Sequence, residues 1–457
     1  MAEIISYLKE YEKRLGRRAV VSIYGYGTTG KAIYEKIRGQ FDLTVRDNAA
    51  SISDAPNCPV LLGNKALSEI FEDVVIISPS IRRESAQLSR ARERGVLLTS
   101  DTEIFFENNK IPTLAISGSD GKSTTATLTG ELLSGAHRTV VCGNIGTPFC
   151  TVDQGRVDAV VAELSSFNLT YTAPRSIRAA ITNIEPNHLN WHKDYNEYRT
   201  AKLRLVKNTR DAVLPFDRSI IDEFSDDVFA VFSTRSSYED MKRACHAEVY
   251  YSLFDGWILY NGKRFIPINE VARREEYNIK NLMCAMGLCV GYVSEDRIRE
   301  VVRSFTGIRH RAELVASIDG KAYVDSSIDT TPSRVISTIS NLTGRVNIIL
   351  GGRGKRLSIA PLIPLIAERC LYIAVYGEVG DEYYDALAAS GISRDRLRKC
   401  EGFDEAFSYV HEHRGGADII LLSPAATAYG EFPSYKERGN RFRFLAQKYN
   451  KTKKIVP

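Results

Sequence analysis

Short apolar runs recur along the chain, each closed by glycine, serine or aspartate, with helix-like stretches between them. Residues 19–24 (Ala-Val-Val-Ser-Ile-Tyr) read as a buried strand, followed by Gly25-Tyr26-Gly27-Thr28-Thr29-Gly30 and a helical run from Lys31 to Arg38. Further strands are expected over Asp42–Val45, ending near Asp47, and over Val74–Ile77, closed by Ser78-Pro79-Ser80. Alternating strands and helices predict a parallel α/β sheet, and this first block is placed at residues 1–110. A second block, 111–307, holds strands over Thr113–Ile116, Ala159–Leu164 and Ala179–Ile184, and helices over Ala126–Leu133 and Asn278–Val290. Between them 211–270 is mixed and turn-rich, with strand-like pieces at Val249–Leu253 and Trp257–Tyr260. The third block, 308–457, has strands over Lys321–Val324, Val346–Leu350, Leu371–Val375 and Asp418–Leu422.

Length agrees with three blocks, since 457 residues make about three domains at ~150 each. With 44% apolar and 26% charged residues the chain has ample material for a core, which excludes a disordered protein. A net charge of +5 carries no basic stripe and argues against nucleic acid as a partner. The short runs Arg396-Leu397-Arg398-Lys399 and 451–454 read as solvated surface. Of the eight cysteines none forms a C-x-x-C pair, and Cys284 and Cys289 sit in an apolar helical run as free buried thiols do. The first residues are too charged for a signal peptide, and no apolar stretch approaches 18 residues. A cytoplasmic protein without a membrane partner is expected.

Gly118-Ser119-Asp120-Gly121-Lys122-Ser123-Thr124 is the strongest chemical signal. It lies between a strand and a helix, where glycines let backbone N–H groups turn toward phosphate and the helix N-terminus adds partial positive charge. Lys122 is placed to neutralise β and γ oxygens, and Ser123 to ligate Mg²⁺. The spacing is G-x-x-G-K-S, because Ile116 stands where the common phosphate loop has its first glycine. The competing reading is a glycine-rich turn with an incidental lysine.

Ligands of open α/β sheets sit outside the carboxyl ends of the strands. Glu163 ends one strand, just before Leu164-Ser165-Ser166-Phe167-Asn168, and is suited to hold Mg²⁺ opposite the phosphate loop. The next strand runs into Asn183-Ile184-Glu185-Pro186-Asn187-His188-Leu189-Asn190-Trp191-His192. The histidine pair at i and i+4 invites a zinc reading, but the glutamate of H-E-x-x-H is missing, so one histidine beside a phosphate–Mg²⁺ site is favoured. Lys202 falls at the start of a helix, where a lysine is usually surface, and spacing alone does not select it.

Together these residues resemble the Mur ligases, whose loop reads G-T-N-G-K-[ST]-T. The likeness continues through Gly143-Asn144-Ile145-Gly146, Glu163–Leu169, 183–192, Ala201-Lys202, Asn278–Asn281, Phe305–Arg311, Leu350–Lys355 and Leu422–Ala426, in family order. The opening GYGTTG, the ELSSF string and the closing Tyr435-Lys436-Glu437-Arg438-Gly439 look most like the D-glutamate-adding branch. The resemblance implies a Rossmann-like first domain, a central P-loop ATPase-type parallel sheet and a Rossmann-like C-terminal domain. It implies a monomeric, ADP-forming amide ligase acting through an acyl phosphate, with ATP, two Mg²⁺ ions, UDP-N-acetylmuramoyl-L-alanine and D-glutamate as its small molecules.

Residue by residue, it implies that Gly118, Ser119, Asp120, Gly121, Lys122, Ser123 and Thr124 bind the triphosphate, with Asn144 near the γ-phosphate. Ser123 and Glu163 would hold one metal ion, and His188 with a carbamylated Lys202 the other. Asn278 would read adenine, and Arg311 and Asp325 would lie on the nucleotide. Thr29, Gly30 and Asp47 would contact the UDP part, with Ser165, Ser166, Asn168, Ser423 and Tyr435 also on substrate. Lys355 would meet the acceptor carboxylate. The pattern departs at Ser80, Asn190, Ser327, Asp329 and Ala428; Arg334 is a candidate to supply the charge that Ser327 lacks.

Three other readings compete. Gly25-Tyr26-Gly27-Thr28-Thr29-Gly30 with Asp47 is a partial dinucleotide fingerprint and suggests an oxidoreductase, but leaves the phosphate loop unexplained. A non-catalytic nucleotide switch is a second. A sister or folate-type ligase with another acceptor is the third.

Overall fold

Every run read above as a strand contains one, and the strands form three sheets. The computed structural model describes residues 3–49, 51–52, 56–224, 228–354 and 357–452, the last three without their side chains. In the first sheet β1 (Val20–Tyr24) is central, flanked by β2 (Asp42–Asp47) and β3 (Val60–Leu62) on one side and by β4 (Val74–Ile77) and β5 (Leu97–Thr99) on the other. All pairs are parallel, with Val21 opposite Leu43 on one side and Val74 on the other. Helices cover both faces, which is why these strands are apolar at consecutive positions. Val21, Ile23, Val45 and Ile76 pack with Ile4 and Leu8 of helix Glu3–Leu15 and Ile33 and Ile37 of helix Thr28–Ile37. Tyr24, Val75 and Ile77 pack on Leu88 and Ala91 of helix Ala86–Glu93.

The second sheet contains β6 (Thr113–Ser117), β7 (Thr139–Gly143), β8 (Ala159–Glu163), β9 (Ser176–Ile181), β10 (Thr209–Pro215), β11 (Val228–Ser233), β12 (Ala247–Phe254), β13 (Trp257–Tyr260) and β14 (Lys263–Pro267). Their order is β14-β13-β12-β11-β10-β9-β6-β8-β7. Only β13 and β14 run antiparallel to their neighbours. Strand β6 lies between β8 and β9, so the order reverses at its carboxyl end, where the glycine loop begins. Both sheets belong to one compact unit, Met1–Phe305.

The second unit, Thr306–Pro457, holds β15 (Glu313–Ile318), β16 (Lys321–Asp325), β17 (Val346–Gly351), β18 (Cys370–Tyr376), β19 (Leu397–Cys400) and β20 (Ile419–Leu422) in the order β15-β16-β20-β17-β18-β19. Only β15 is antiparallel. At the carboxyl ends of this sheet a fully buried Arg438, on helix Tyr435–Thr452, donates to the carbonyls of Gly351 (3.2 Å), Thr427 (3.1 Å), Ser327 (3.1 Å) and Ala426 (2.9 Å). One guanidinium thus holds together loops that follow three different strands. Its rigid fork of donors suits that task.

Strand boundaries differ from the sequence expectation at one informative place. The strand expected to reach Ile184 stops at Ile181. Thr182 Oγ1 turns aside to donate to the Asp120 carbonyl at 2.5 Å, which draws the chain onto the glycine loop. All eight cysteines are free thiols, and all but Cys58 are buried. Among the described residues no helix is long and apolar enough to cross a membrane.

Candidate active site

The loop after β6 is shaped by two glycines that no other residue could replace without strain. Gly118 has φ +145° and a Cβ there would lie 1.9 Å from Thr182 Oγ1; Gly121 has φ +78° and a Cβ would lie 2.1 Å from Asn281 Oδ1. Helix Lys122–Ser134 begins directly after Gly121 and packs Leu128, Leu132 and Leu133 into the core. Ser119 is tied down by its hydroxyl, which donates to the Glu185 carbonyl at 2.9 Å and accepts from the Glu185 amide at 2.8 Å, with the Tyr198 hydroxyl 2.7 Å away. The Lys122 ammonium donates to the carbonyls of Gly118 (2.8 Å) and Ser119 (2.7 Å).

A cleft of about 380 Å³ opens beside this loop. Lys122, Asn144, His188 and Lys202 line it, as do Thr29, Ser165, Ser166 and Asn168. Residues 1–110 and 111–305 of the first unit therefore share one cavity. Glu163, at the end of β8, is buried at 4% exposure, and its main-chain carbonyl accepts from the Asn144 amide at 3.0 Å. The left-handed Gly143 (φ +101°) permits this approach, since a Cβ there would sit 2.3 Å from that carbonyl.

Lys202 is the least expected member. It lies on helix Tyr195–Lys207, whose N-cap Asp194 accepts from the Glu197 amide. The buried stripe of that helix is Tyr198, Ala201, Lys202, Leu205 and Val206, so a lysine occupies an apolar position of the 3.6-residue period. It is 2% exposed and donates to the Gly118 carbonyl at 2.5 Å. Burial first, then the Lys122 charge, push its ammonium pKa well below the usual lysine value, against the opposing pull of Asp120 and Glu163.

His188 stands on a turn in the left-handed region (φ 55°), an uncommon conformation for a residue with a Cβ. The amides of Trp191 (2.9 Å) and His192 (3.0 Å) donate to its carbonyl. Loss of surrounding water, then the charges of Lys202 and Lys122, lower its pKa, which favours the neutral ring that can ligate a cation. His192 has a different place. It is buried, with Nε2 2.9 Å from Ser166 Oγ and Nδ1 3.3 Å from Glu197 Oε2, an interior network rather than half of a zinc pair.

Some expected substrate contacts have structural duties as well. Ser165 and Asn168 form a reciprocal capping box on helix Ser166–Tyr171, and Asn168 Nδ2 donates to Thr102 Oγ1 at 2.7 Å. Asp47 closes the first loop by accepting from the amides of Tyr26 (2.7 Å) and Ala49 (2.8 Å). Gly30 is required by packing, as a Cβ there would lie 2.1 Å from the Gly25 carbonyl. Neither Asp47 nor Gly30 lines the cleft.

Asn278 occupies a separate narrow slot with Leu128, Val271, Arg273, Leu282, Val302 and Phe305, and its amide donates to Glu275 Oε2 at 3.0 Å. Arg311, Asp325, Arg334, Ser423 and Tyr435 belong to the second unit. There Asp325 is fully buried against His310 Nδ1 (2.8 Å), Ser423 donates to Asp329 (2.8 Å), and Tyr435 meets the His310 ring edge-on at 5.9 Å. Exposed Arg334 donates to the Ile328 carbonyl, and Arg311 is exposed. Lys355 lies outside the described residues.

Sequence reasoning passed over Asp101, Thr102, Phe167 and Tyr198, which also line the cleft. Asp101 carried one legible signal: it follows the N-cap serine of helix Asp101–Asn108. Burial raises its carboxyl to about 7, although contacts from Cys150 and Phe149 oppose the shift.

Residues 116–289 match the Mur ligase middle domain family model. Enzymes named UDP-N-acetylmuramoylalanine–D-glutamate ligase are similar along most of their length. That of Ruminiclostridium cellulolyticum is 31% identical over 394 residues, 82% of each chain. One from Clostridium botulinum is 33% identical over 394 residues, 84% of each chain. The chain belongs to the Mur ligase family, whose members are ATP-dependent, ADP-forming amide ligases. Among solved structures, the UDP-N-acetylmuramate–alanine ligase of Thermotoga maritima shares the fold at TM-score 0.55 and 16% identity, over 94% of this chain and all of that one. A UDP-N-acetylmuramoyl-L-alanyl-D-glutamate–2,6-diaminopimelate ligase does so at TM-score 0.50 and 15% identity, over 94% and 92%.

The donor set suits the family's magnesium. Glu163 and Ser123 offer the oxygen ligands a hard cation takes, His188 an imidazole nitrogen, and Lys122 charge for phosphate.

Proposed function

We propose that this protein joins D-glutamate to UDP-N-acetylmuramoyl-L-alanine in peptidoglycan precursor synthesis, at the expense of ATP, as the named relatives do. The observation that carries this reading is the convergence of Lys122, Lys202, His188 and Asn144 on one cleft beside the Gly118–Gly121 turn. Residues 1–110 would hold the UDP-sugar, 111–307 ATP and 308–457 the amino acid. Loop amides and Lys122 cradle the triphosphate, Asn144 faces the γ-phosphate and Asn278 reads adenine. Arg311 and Asp325 serve the nucleotide; Thr29, Ser165, Ser166 and Asn168 the UDP-substrate; Arg334, Lys355, Ser423 and Tyr435 the acceptor end.

The substrate carboxylate attacks the γ-phosphorus, ADP leaves, and an acyl phosphate results. The acceptor amine then attacks the acyl carbon, phosphate departs and an amide remains. Lys122 offsets charge on the transferring phosphoryl group, while the buried cleft walls shield the acyl phosphate from water. Ser123 and Glu163 would hold one Mg²⁺, and His188 with a carbamate on Lys202 a second, and the ions would supply charge neutralisation for phosphoryl transfer. The depressed Lys202 pKa favours the free amine that carbamate formation requires. We place the enzyme in the cytoplasm, as a monomer.

The test supplies ATP and UDP-N-acetylmuramoyl-L-alanine and screens amino acids for phosphate release. Release only with D-glutamate supports the assignment. Release only with another acceptor retains the ligase and removes the acceptor's name. Release with no acceptor dependence rejects a ligase.

A further inference from the structure

Arg82 has no part in the reaction as drawn so far, yet it joins two walls of the cleft. It follows Ser78-Pro79-Ser80, a segment beyond β4 that lines the cavity. From there its guanidinium crosses to the turn that carries His188. Nη1 donates to the Trp191 carbonyl at 2.5 Å, Nη2 to Glu197 Oε1 at 3.0 Å, and Nη1 also to Glu197 Oε2 at 3.2 Å. The guanidinium carbon stands 4.8 Å from the Trp191 ring centroid, and Nε donates to Glu84 Oε2 at 3.2 Å.

The contacts run both ways. Trp191 Nε1 donates to the Ser80 carbonyl at 2.8 Å, so the turn also grips the loop. Glu197 Oε2 accepts from the Lys193 amide at 2.7 Å and faces His192 Nδ1, anchoring the far end of the turn. Phe167 fills the space behind, 4.5 Å from Trp191 and 5.0 Å from the His188 ring, centroid to centroid. Arg82 and Ser80 thus make direct contacts from the segment after β4 into residues 188–192.

We propose that Arg82 is a positioning residue that acts through Trp191 and Glu197 to hold the His188 turn, and hence the His188 imidazole, in register with the substrate loop Ser78–Ser80. This rests on His188 being a metal ligand. Two features demand such a clamp. His188 has a left-handed backbone, which persists only when its surroundings over-determine it. The turn's own hydrogen bonds are short-range: two amides on the His188 carbonyl, and the His188 amide on the adjacent Asn187 Oδ1 at 2.8 Å. Arg82 is itself 25% exposed, so its removal opens no core cavity. Lysine would keep the charge but lose the paired donors and the stacking plane.

The test measures Mn²⁺ binding by electron paramagnetic resonance, with the β,γ-imido analogue of ATP present, and steady-state kcat and KM for ATP. It uses the full chain as wild type, Arg82→Ala, Arg82→Lys, Glu197→Gln and His188→Ala. Arg82→Ala is expected to weaken Mn²⁺ binding about tenfold and to lower kcat similarly, as loss of a ligand-orienting partner does, with KM for ATP little changed. Glu197→Gln keeps the side-chain volume and should shift Mn²⁺ binding in the same direction. Arg82→Lys should fall between Arg82→Ala and wild type. Wild-type Mn²⁺ affinity in Arg82→Ala, or an equal loss of analogue and metal binding, overturns the proposal. If His188→Ala itself binds Mn²⁺ as wild type does, the metal reading of His188 falls and the role of Arg82 with it. If His188→Ala weakens binding and Arg82→Ala does not, only the role of Arg82 is refuted.

Discussion

Lys122 and Lys202 donate to the same oxygen, the carbonyl of Gly118, at 2.8 and 2.5 Å. Two ammonium groups so placed repel, and the more deeply buried of them releases its proton more readily. Lys202 is that residue, and the free amine that its lowered pKa favours is a nucleophile for carbon dioxide. With ¹³C-labelled bicarbonate, wild type is expected to show a carbamate carbon resonance that Lys202→Ala lacks. The same spectrum from both proteins would reject modification at this lysine.

Lys122 stays at the loop, where phosphoryl transfer would need its charge. Lys122→Ala is expected to lose at least ~100-fold in turnover, as removal of one preorganised electrostatic group does elsewhere. Circular dichroism should show the fold retained. Near-normal phosphate release in this variant would move the reaction to another part of the molecule.

Asp101 offers a pH test. Its carboxyl is raised from 3.8 to about 7 in the fold, so between those values the native state binds more protons than the unfolded chain. Stability from this group is therefore full below the lower value and is lost as pH rises through the upper one. Asp101→Asn does not titrate. Its stability relative to wild type should rise between about pH 4 and pH 8, measured by urea unfolding at each pH. A difference that does not change with pH would contradict the assigned proton.

Arg438 should matter for the second unit as a whole. Arg438→Ala leaves the carbonyls of Ser327, Gly351, Ala426 and Thr427 short of a donor. At about 1 kcal/mol or more for each buried group, a loss of at least ~3 kcal/mol is expected in denaturant unfolding. A loss below about 1 kcal/mol would mean that the loops find other partners.

The sequence displayed what is local. The glycine loop was legible because strand, turn and helix follow one another within a few residues, and β13 matched its apolar run, Trp257–Tyr260, end to end. Elements at sheet margins were harder to see. The basic run Arg396-Leu397-Arg398-Lys399 was read as solvated surface, and Arg398 and Lys399 are exposed; the same run is the edge strand β19, with Leu397 and Cys400 turned inward. Charges on an edge strand protect it from pairing with other chains, and they also hide it from a hydropathy reading. Strand β7 was passed over for a related reason, since it ends its sheet and only Cys142 is buried.

The site divided in the same way. Glu163 and His188 were read from strand ends, whereas Lys202 required knowing which face of its helix points inward. The stripe Tyr198-Ala201-Lys202-Leu205 held that information. Arg82 was beyond reach, because its importance arises only when the first sheet meets the second.

Trp191, pressed between the Arg82 guanidinium and the Phe167 ring, gives the chain a built-in optical probe. The sequence has two tryptophans, and the other, Trp257, belongs to the hairpin at one margin of the second sheet. Replacing Trp257 with phenylalanine would leave a single fluorophore packed against Phe167, which lines the cleft. Its emission would then report ligand arrival in real time, without any label attached to the protein.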